Sequence, residues 1–197
     1  MTNVTIVYHS GYGHTKKLAE SVLAGTSQVA DVSAALIAID AEGNGPKAAR
    51  AQLGASDAIV FGSPTYMGNV SWQFKKFADA TSKPWSTQAW RDELFAGFTN
   101  SATMNDDKFA TQHMMMTLAM QHSGFWVGTG LMPSNAKAAQ RNDINYVGSF
   151  GGLMAQSPSD SSPEEGPPPG DLETGKLFGK RIAEAALTLT RSASEAA

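Results

Sequence analysis

Cysteine is absent from the 197 residues, which removes disulfides, thiolate nucleophiles, iron–sulfur clusters and cysteine-held zinc together. Histidine is scarce. His9, His14, His113 and His122 form no HExxH and no close ligand pair, so metal chemistry finds no ligand set. No apolar run approaches the roughly 18 residues that a membrane helix needs. No basic segment leads into an apolar core near Met1, so no secretory signal is expected and the expected compartment is the cytoplasm. Positive charge is neither abundant nor grouped: Lys plus Arg number 15 against 18 Asp plus Glu, a net charge of −3. That balance argues against a nucleic-acid groove. There is no G-x-S-x-G elbow, and no Gly-Lys-Ser/Thr completes a P-loop. With no nucleophile, metal or acid–base pair marked out, the chemistry is expected to come from a bound cofactor.

What is present is concentrated near the start. Val4-Thr5-Ile6-Val7-Tyr8 is a β-branched apolar run that stops at Ser10-Gly11-Tyr12-Gly13-His14-Thr15, and helical spacing (Leu18, Ala19, Val22, Leu23) begins at once. A strand feeding such a turn into a helix offers unpaired amides and the positive end of a helix dipole to an anion. Ser10 and Thr15 can add hydroxyls, and Gly11 and Gly13 permit close backbone approach. As a dinucleotide fingerprint the loop is incomplete, because Lys16 stands where a third glycine would. Asp40 could nevertheless hold a ribose hydroxyl, which keeps a Rossmann reading open.

Strand-like runs at Val4–Tyr8, Val32–Ile39, Ala58–Gly62, Leu94–Thr99 and Phe125–Val127 alternate with helical patterns at Thr15–Thr26, Pro46–Leu53, Val70–Thr81, Asp107–His122 and Leu172–Thr190. Runs that read apolar throughout suit a parallel sheet covered on both faces. Hydrophobic content of 42% and this length suit one domain, taken as residues 1–191, with 192–197 a frayed tail. The expectation is a doubly wound α/β sheet. In such sheets ligands bind beyond the carboxyl ends of the strands. There, Ser63-Pro64-Thr65-Tyr66-Met67-Gly68-Asn69 follows the third run and Asn100-Ser101-Ala102-Thr103-Met104-Asn105 follows the fourth, both small and polar like the first loop. Asn69 and Asp106 are expected to cap the helices that follow. Tyr66, between Pro64 and Gly68, can lie against a planar ring, whereas Trp72, Phe74 and Phe77 have core spacing. Trp85 suits either a pocket rim or a subunit anchor. The Pro/Ser-rich stretch 156–170 reads as a solvated loop, with a functional lid as the alternative.

These three loops, YHSGYGHT, GSPTYMGN and FTNSATMN, resemble those of the flavodoxin-like FMN-binding family, most closely the WrbA-type NAD(P)H:quinone oxidoreductases and related NAD(P)H-dependent FMN reductases. The resemblance spans about residues 3–190. It implies a flavodoxin-like five-stranded parallel sheet of order 2-1-3-4-5. It also implies noncovalent FMN: Ser10, Gly11, Tyr12, Gly13, His14 and Thr15 would hold the phosphate. Ser63, Pro64, Thr65, Tyr66, Met67 and Gly68 would run along the isoalloxazine, and Asn100, Ser101, Ala102, Thr103, Met104 and Asn105 would hold its pyrimidine side. Tyr12, Tyr66, Trp85 and His122 would meet the substrates, His122 from another subunit. The third loop differs from the family's glycine-rich Thr-Gly-Thr-Gly-Gly, and Tyr66-Met67 replaces Arg-Phe.

The function this implies is hydride transfer from NADH or NADPH through FMN to a quinone-like small molecule, in ping-pong order, with no catalytic side chain of its own. A homodimer or homotetramer is expected. The alternatives are a flavodoxin passing single electrons between proteins and a flavin-binding regulatory module. Mild acidity favours the enzyme, since electron carriers use stronger charge to steer docking.

Overall fold

The computed structural model describes residues 1–195. Its elements follow the alternation read from the sequence: β1 (Thr2–His9), α1 (His14–Thr26), β2 (Val32–Ile39), α2 (Ala49–Gly54), β3 (Ala58–Tyr66), β4 (Asn69–Val70), α3 (Trp72–Asp79), α4 (Ser82–Thr87), β5 (Leu94–Ser101), α5 (Lys108–Gln121), β6 (Phe125–Trp126), β7 (Leu153–Gln156) and α6 (Pro169–Glu195). The principal strands order as β2-β1-β3-β5-β6 and run parallel. This is the expected 2-1-3-4-5 order once the short hairpin strand β4 is set aside.

The fifth position of the sheet is shared. β6 pairs with the first half of β5 (Leu94↔Phe125, Phe95↔Trp126), and β7 takes over beside its second half (Phe98↔Leu153 through Ser101↔Gln156). Residues 127–152 leave and re-enter the sheet between them. The buried Gln112 of α5 closes the break, donating through Nε2 to the carbonyls of Gly97 at 3.2 Å and Leu153 at 2.9 Å. Leu153-Met154-Ala155-Gln156 contains no β-branched or aromatic residue, which is why β7 escapes the sequence reading.

Alternate residues of each strand face opposite layers. Ile6 joins Leu18, Val22, Phe98, Phe178 and Ile182 on the α1/α6 side, and Val7 joins Phe61, Phe74, Phe77, Trp90, Phe95 and Met115 on the other. Burial on both faces explains the unbroken apolar reading of β1 and β3. α1 and α6 cross closely enough that a Cβ on Gly25 would lie 1.7 Å from the Lys176 carbonyl oxygen, and one on Gly179 would lie 2.0 Å from that of Val22. α6 continues through Glu195, so 192–195, expected to fray, are helical; residues 196 and 197 lie outside the described residues.

Both expected caps are displaced. Asn69 is taken into the β3–β4 hairpin, and α3 is capped by Ser71, whose Oγ accepts the Phe74 N–H at 3.3 Å. Asp107 rather than Asp106 stands before α5, in the left-handed region at φ 51°, and its side chain caps nothing.

Candidate functional site

The carboxyl ends of β1, β3 and β5 open onto a cleft of about 560 Å³, a size typical of small-molecule and cofactor sites. The first loop turns on Ser10, whose Oγ accepts the Gly13 and Lys16 amides, each at 3.1 Å. Gly13 then enters α1 at φ 93°, a conformation that a side chain would strain. Among the described residues no protein acceptor takes the N–H groups of Gly11, Tyr12, His14 or Thr15. Orphan amides at the N-terminus of a 13-residue helix are what an anionic group can satisfy. Ser10 therefore acts chiefly as the internal brace of this cradle.

The second loop is a hairpin whose two central residues, Met67 (φ 48°) and Gly68 (φ 74°), are both left-handed, as a type I′ turn requires. Met67 is fully exposed. Tyr66 leans back over the first loop: a Cβ on Gly11 would lie 2.5 Å from its hydroxyl oxygen. The Tyr66 ring meets Tyr12 edge-on at 6.3 Å. Burial, with Tyr12 beside it, pushes the Tyr66 phenol above its usual range, so it stays protonated. Beneath the hairpin, Ser63 accepts the Ser71 N–H at 2.9 Å. Thr65 shares hydrogen bonds of 2.8 Å with both Thr99 and Thr111. These buried hydroxyls fasten β3 to β5 and α5.

The fourth wall comes from the Pro/Ser-rich stretch, where Ser157, Gly166 and Pro167 are buried while Pro158, Ser159, Asp160, Ser162, Glu164 and Glu165 are exposed, so the loop expected to be solvated is so only in part. Ser157 extends the sheet by donating its N–H to the Ser101 carbonyl at 3.0 Å, and its Oγ donates to Asn100 Oδ1 at 3.0 Å. His14 Nε2 reaches the Ser161 carbonyl at 3.0 Å. Pro163 packs so closely on the first loop that a Cβ on Gly13 would lie 2.6 Å from its Cγ. Behind this wall, Arg141 makes a bidentate pair with the buried Asp171 (both 2.7 Å), and Asp171 also accepts the Gln156 N–H at 2.9 Å.

The cleft is lined by Tyr12, His14, Thr15, Pro64, Thr65, Tyr66, Asn100, Ser101 and Ala102 from the three anticipated loops, and by Asp106, Ser157, Pro158, Ser159 and Ser161, none of which was among the expected ligand contacts. No Lys or Arg is among these lining residues. Ser10, Gly11, Gly13, Ser63, Met67, Gly68, Thr103, Met104 and Asn105 stand beside the cleft in the same loops without lining it. Two expected substrate residues lie elsewhere. Trp85 sits on α4, half exposed. His122 is only 1% exposed, bonded to Thr81 Oγ1 at 3.0 Å, with its ring tilted 38° against the Trp90 ring at 4.4 Å. Within the chain it packs in the layer with Trp90 and Phe95, away from the cleft. Asp40, the residue behind a Rossmann reading, spends Oδ1 on the amides of Glu42 (3.0 Å) and Asn44 (2.7 Å) in its own turn.

The residues present suit FMN. Free amides converge where a phosphate would sit, a side chain on Gly11 or Gly13 would intrude, and two aromatic rings stand at the rim for a planar ring system. Comparison with known proteins agrees. The family model for NADPH-dependent FMN reductase matches residues 13–138. Flavodoxin FldP of Pseudomonas aeruginosa (strain UCBPP-PA14) is 50% identical over 183 residues, covering 93% of this chain and 96% of that protein. An NAD(P)H dehydrogenase (quinone) of Geotalea uraniireducens (strain Rf4) is 31% identical over 206 residues, covering 95% of this chain and 99% of that one. Among solved structures, a flavodoxin, WrbA-like protein from Agrobacterium tumefaciens superposes with a TM-score of 0.73 at 46% identity, over 95% of this chain and 99% of that one. An archaeal flavodoxin at 19% identity and a TM-score of 0.60, over 94% and 99% of the two chains, shares the fold. On its cleft, its fold and these matches, the chain belongs to the NADPH-dependent FMN reductase family of flavodoxin-like, WrbA-type FMN-binding oxidoreductases.

Proposed function

We propose that the chain is an FMN-dependent oxidoreductase that takes two electrons from NADH or NADPH and delivers them to a quinone-like small molecule. The observation that carries this reading is the meeting of free first-loop amides with an exposed aromatic rim in one open cleft. Bound FMN would supply the redox chemistry itself, accepting a hydride and passing it on. The chain's contribution is binding and alignment. The Gly11, Tyr12, His14 and Thr15 amides would neutralise the phosphate without a fixed cation, and Thr15, which lines the cleft, would add its hydroxyl. Tyr12, 77% exposed, and Tyr66, 36% exposed, would guide nicotinamide and acceptor in turn onto one ring face. That sharing supports ping-pong order.

A second reading has its own support, since the 50% identical relative is named a flavodoxin: a carrier passing single electrons between proteins. Rapid mixing of the FMN-loaded protein with NADH and with NADPH separates the two. Bleaching of the flavin by either nucleotide, followed by reoxidation with benzoquinone at a rate matching turnover, is the expected result. Failure of both nucleotides to bleach it, with ready reduction by a flavodoxin reductase, would replace the enzyme with the carrier. A protein that stays colourless after incubation with FMN would remove both.

A further inference from the structure

Lys108 opens α5, yet its side chain is 1% exposed. It folds back under the loop that follows β5, and its ammonium donates to the carbonyls of Thr103, Met104 (2.9 Å) and Asn105 (3.5 Å). All three protons of a buried cation therefore go to consecutive backbone oxygens of one loop. A trans peptide holds its C=O and N–H on opposite sides. Each carbonyl drawn to the ammonium thus turns the next residue's N–H away from it. The N–H groups in question, on Met104, Asn105 and Asp106, have no acceptor among the described residues. Ala102 and Asp106, at the two ends of this segment, line the cleft. The segment ends on two left-handed residues, Asp106 (φ 52°) and Asp107 (φ 51°). Successive free amides at such a bend form an anion-receiving concavity. Residues 100–107 contain no glycine, so the path that glycines would otherwise permit is imposed here by an internal charge.

We propose that Lys108 is a positioning residue for the flavin, holding the 103–105 carbonyls inward so that the amides of Met104, Asn105 and Asp106 face the bound ligand as a donor array. This rests on the FMN reading above. It gives the cleft a positive charge that lining residues do not supply, delivered through peptide dipoles rather than by contact. It also links binding to protons. Burial brings the Lys108 ammonium down to about 8; Asp106 on the loop and Asp171 on α6 hold it up, and Arg141 from the 127–152 segment depresses it further. Above that value the ligand-free protein loses the proton. An electron-rich ligand on the amides favours its return, so binding takes up a proton and weakens as pH rises.

The test is FMN affinity, read by quenching of flavin fluorescence on adding apoprotein at pH 7, 8 and 9, for wild type, Lys108→Arg and Lys108→Met. Wild type is expected to lose about tenfold in affinity between pH 7 and 9, the full effect of a group that titrates near 8 only when the site is empty. Lys108→Arg, permanently charged, should bind with little pH dependence. Lys108→Met should bind at least tenfold more weakly at pH 7, also without the slope. Calorimetry on wild type in two buffers of different ionisation enthalpy reads the same linkage without any variant. Uptake of close to one proton per FMN is expected at pH 9, and about a tenth of one at pH 7. A lysine that merely supports the fold would lower the melting temperature when replaced but leave the affinity slope in place. Persistence of that slope in Lys108→Met, or wild-type binding with no proton uptake at pH 9, overturns the assignment. No FMN binding by wild type at any pH overturns the flavin reading itself, and this one with it.

Discussion

Gly13→Ala offers the sharpest test of how the cleft is built. Gly13 enters α1 at φ 93°, where a side chain costs about 1–2 kcal/mol. The new methyl would also lie 2.6 Å from Pro163 Cγ and 3.1 Å from its Cβ. Overpacking of this kind costs about 1–3 kcal/mol unless the neighbour yields. The two terms sum to about 2–5 kcal/mol, spent on the state in which the first loop and the 157–163 wall are both in place. If the apoprotein keeps that arrangement, its stability falls. If it relaxes when empty, the loss moves into FMN affinity, where about 2–5 kcal/mol is roughly 30- to 5,000-fold in Kd. Measuring both the urea unfolding of the apoprotein and FMN binding therefore closes the sum whichever way it divides. Pro163→Gly separates the causes: in the double variant the overlap term should be recovered and the strain term should remain, a coupling of about 1–3 kcal/mol. Wild-type stability and affinity in Gly13→Ala, or strict additivity with Pro163→Gly, would refute the packing argument.

Three further outcomes are expected. Burial, with repulsion from Asp57 and Asp92, raises the Glu93 carboxyl from 4.5 to about 7; the folded chain thus holds this proton more tightly than the unfolded one, and stability falls as pH climbs from about 4.5 to 7. Glu93→Gln should therefore be more stable than wild type at pH 8 by about 1–2 kcal/mol after solvent screening, with the gap closing towards pH 4.5, as read by urea unfolding; an equal gap at both ends would contradict it. Gly179→Ala sets a methyl 2.0 Å from the Val22 carbonyl oxygen and should lower the melting temperature by about 2–10 °C. Asp171→Asn breaks the bidentate pair with Arg141 at about 3–5 kcal/mol, and hydrogen exchange should show faster opening of Leu153–Gln156, whereas unchanged protection there would sever the link drawn between that pair and the cleft wall.

The three loops at the strand ends were legible because each follows a long apolar run, which places it at one edge of the sheet. The fourth wall was not. Its Ser and Pro content is the same for a solvated loop as for a packed one, and what holds it is remote: Ser101, Asn100 and His14 by hydrogen bonds, and Gly13 by contact. Neither could local reading find Lys108, since a lysine at the start of a helix normally points to water. Its burial follows from three carbonyls that only the folded loop brings together. The cap at Ser71 was missed because the hairpin claims Asn69 first. The sequence reading groups Trp72 with Phe74 and Phe77 as core, yet Trp72 is 60% exposed while Phe74 is buried; residues two apart do not share a helix face, so only Phe74 and Phe77, three apart, turn inward together.

The closeness of α1 to α6 has a temporal meaning. Thr2 and Thr190 share a hydrogen bond of 2.8 Å across 188 positions, and the layer that Leu18 and Val22 need is furnished by Phe178 and Ile182. A nascent chain with its first loop already synthesised thus has neither a finished floor beneath that loop nor Ser157 and Ser161 beside it. FMN capture would therefore wait until residues 153–190 have left the ribosome, and a chain stalled short of them is expected to leave the apolar faces of β1 uncovered and to retain no flavin.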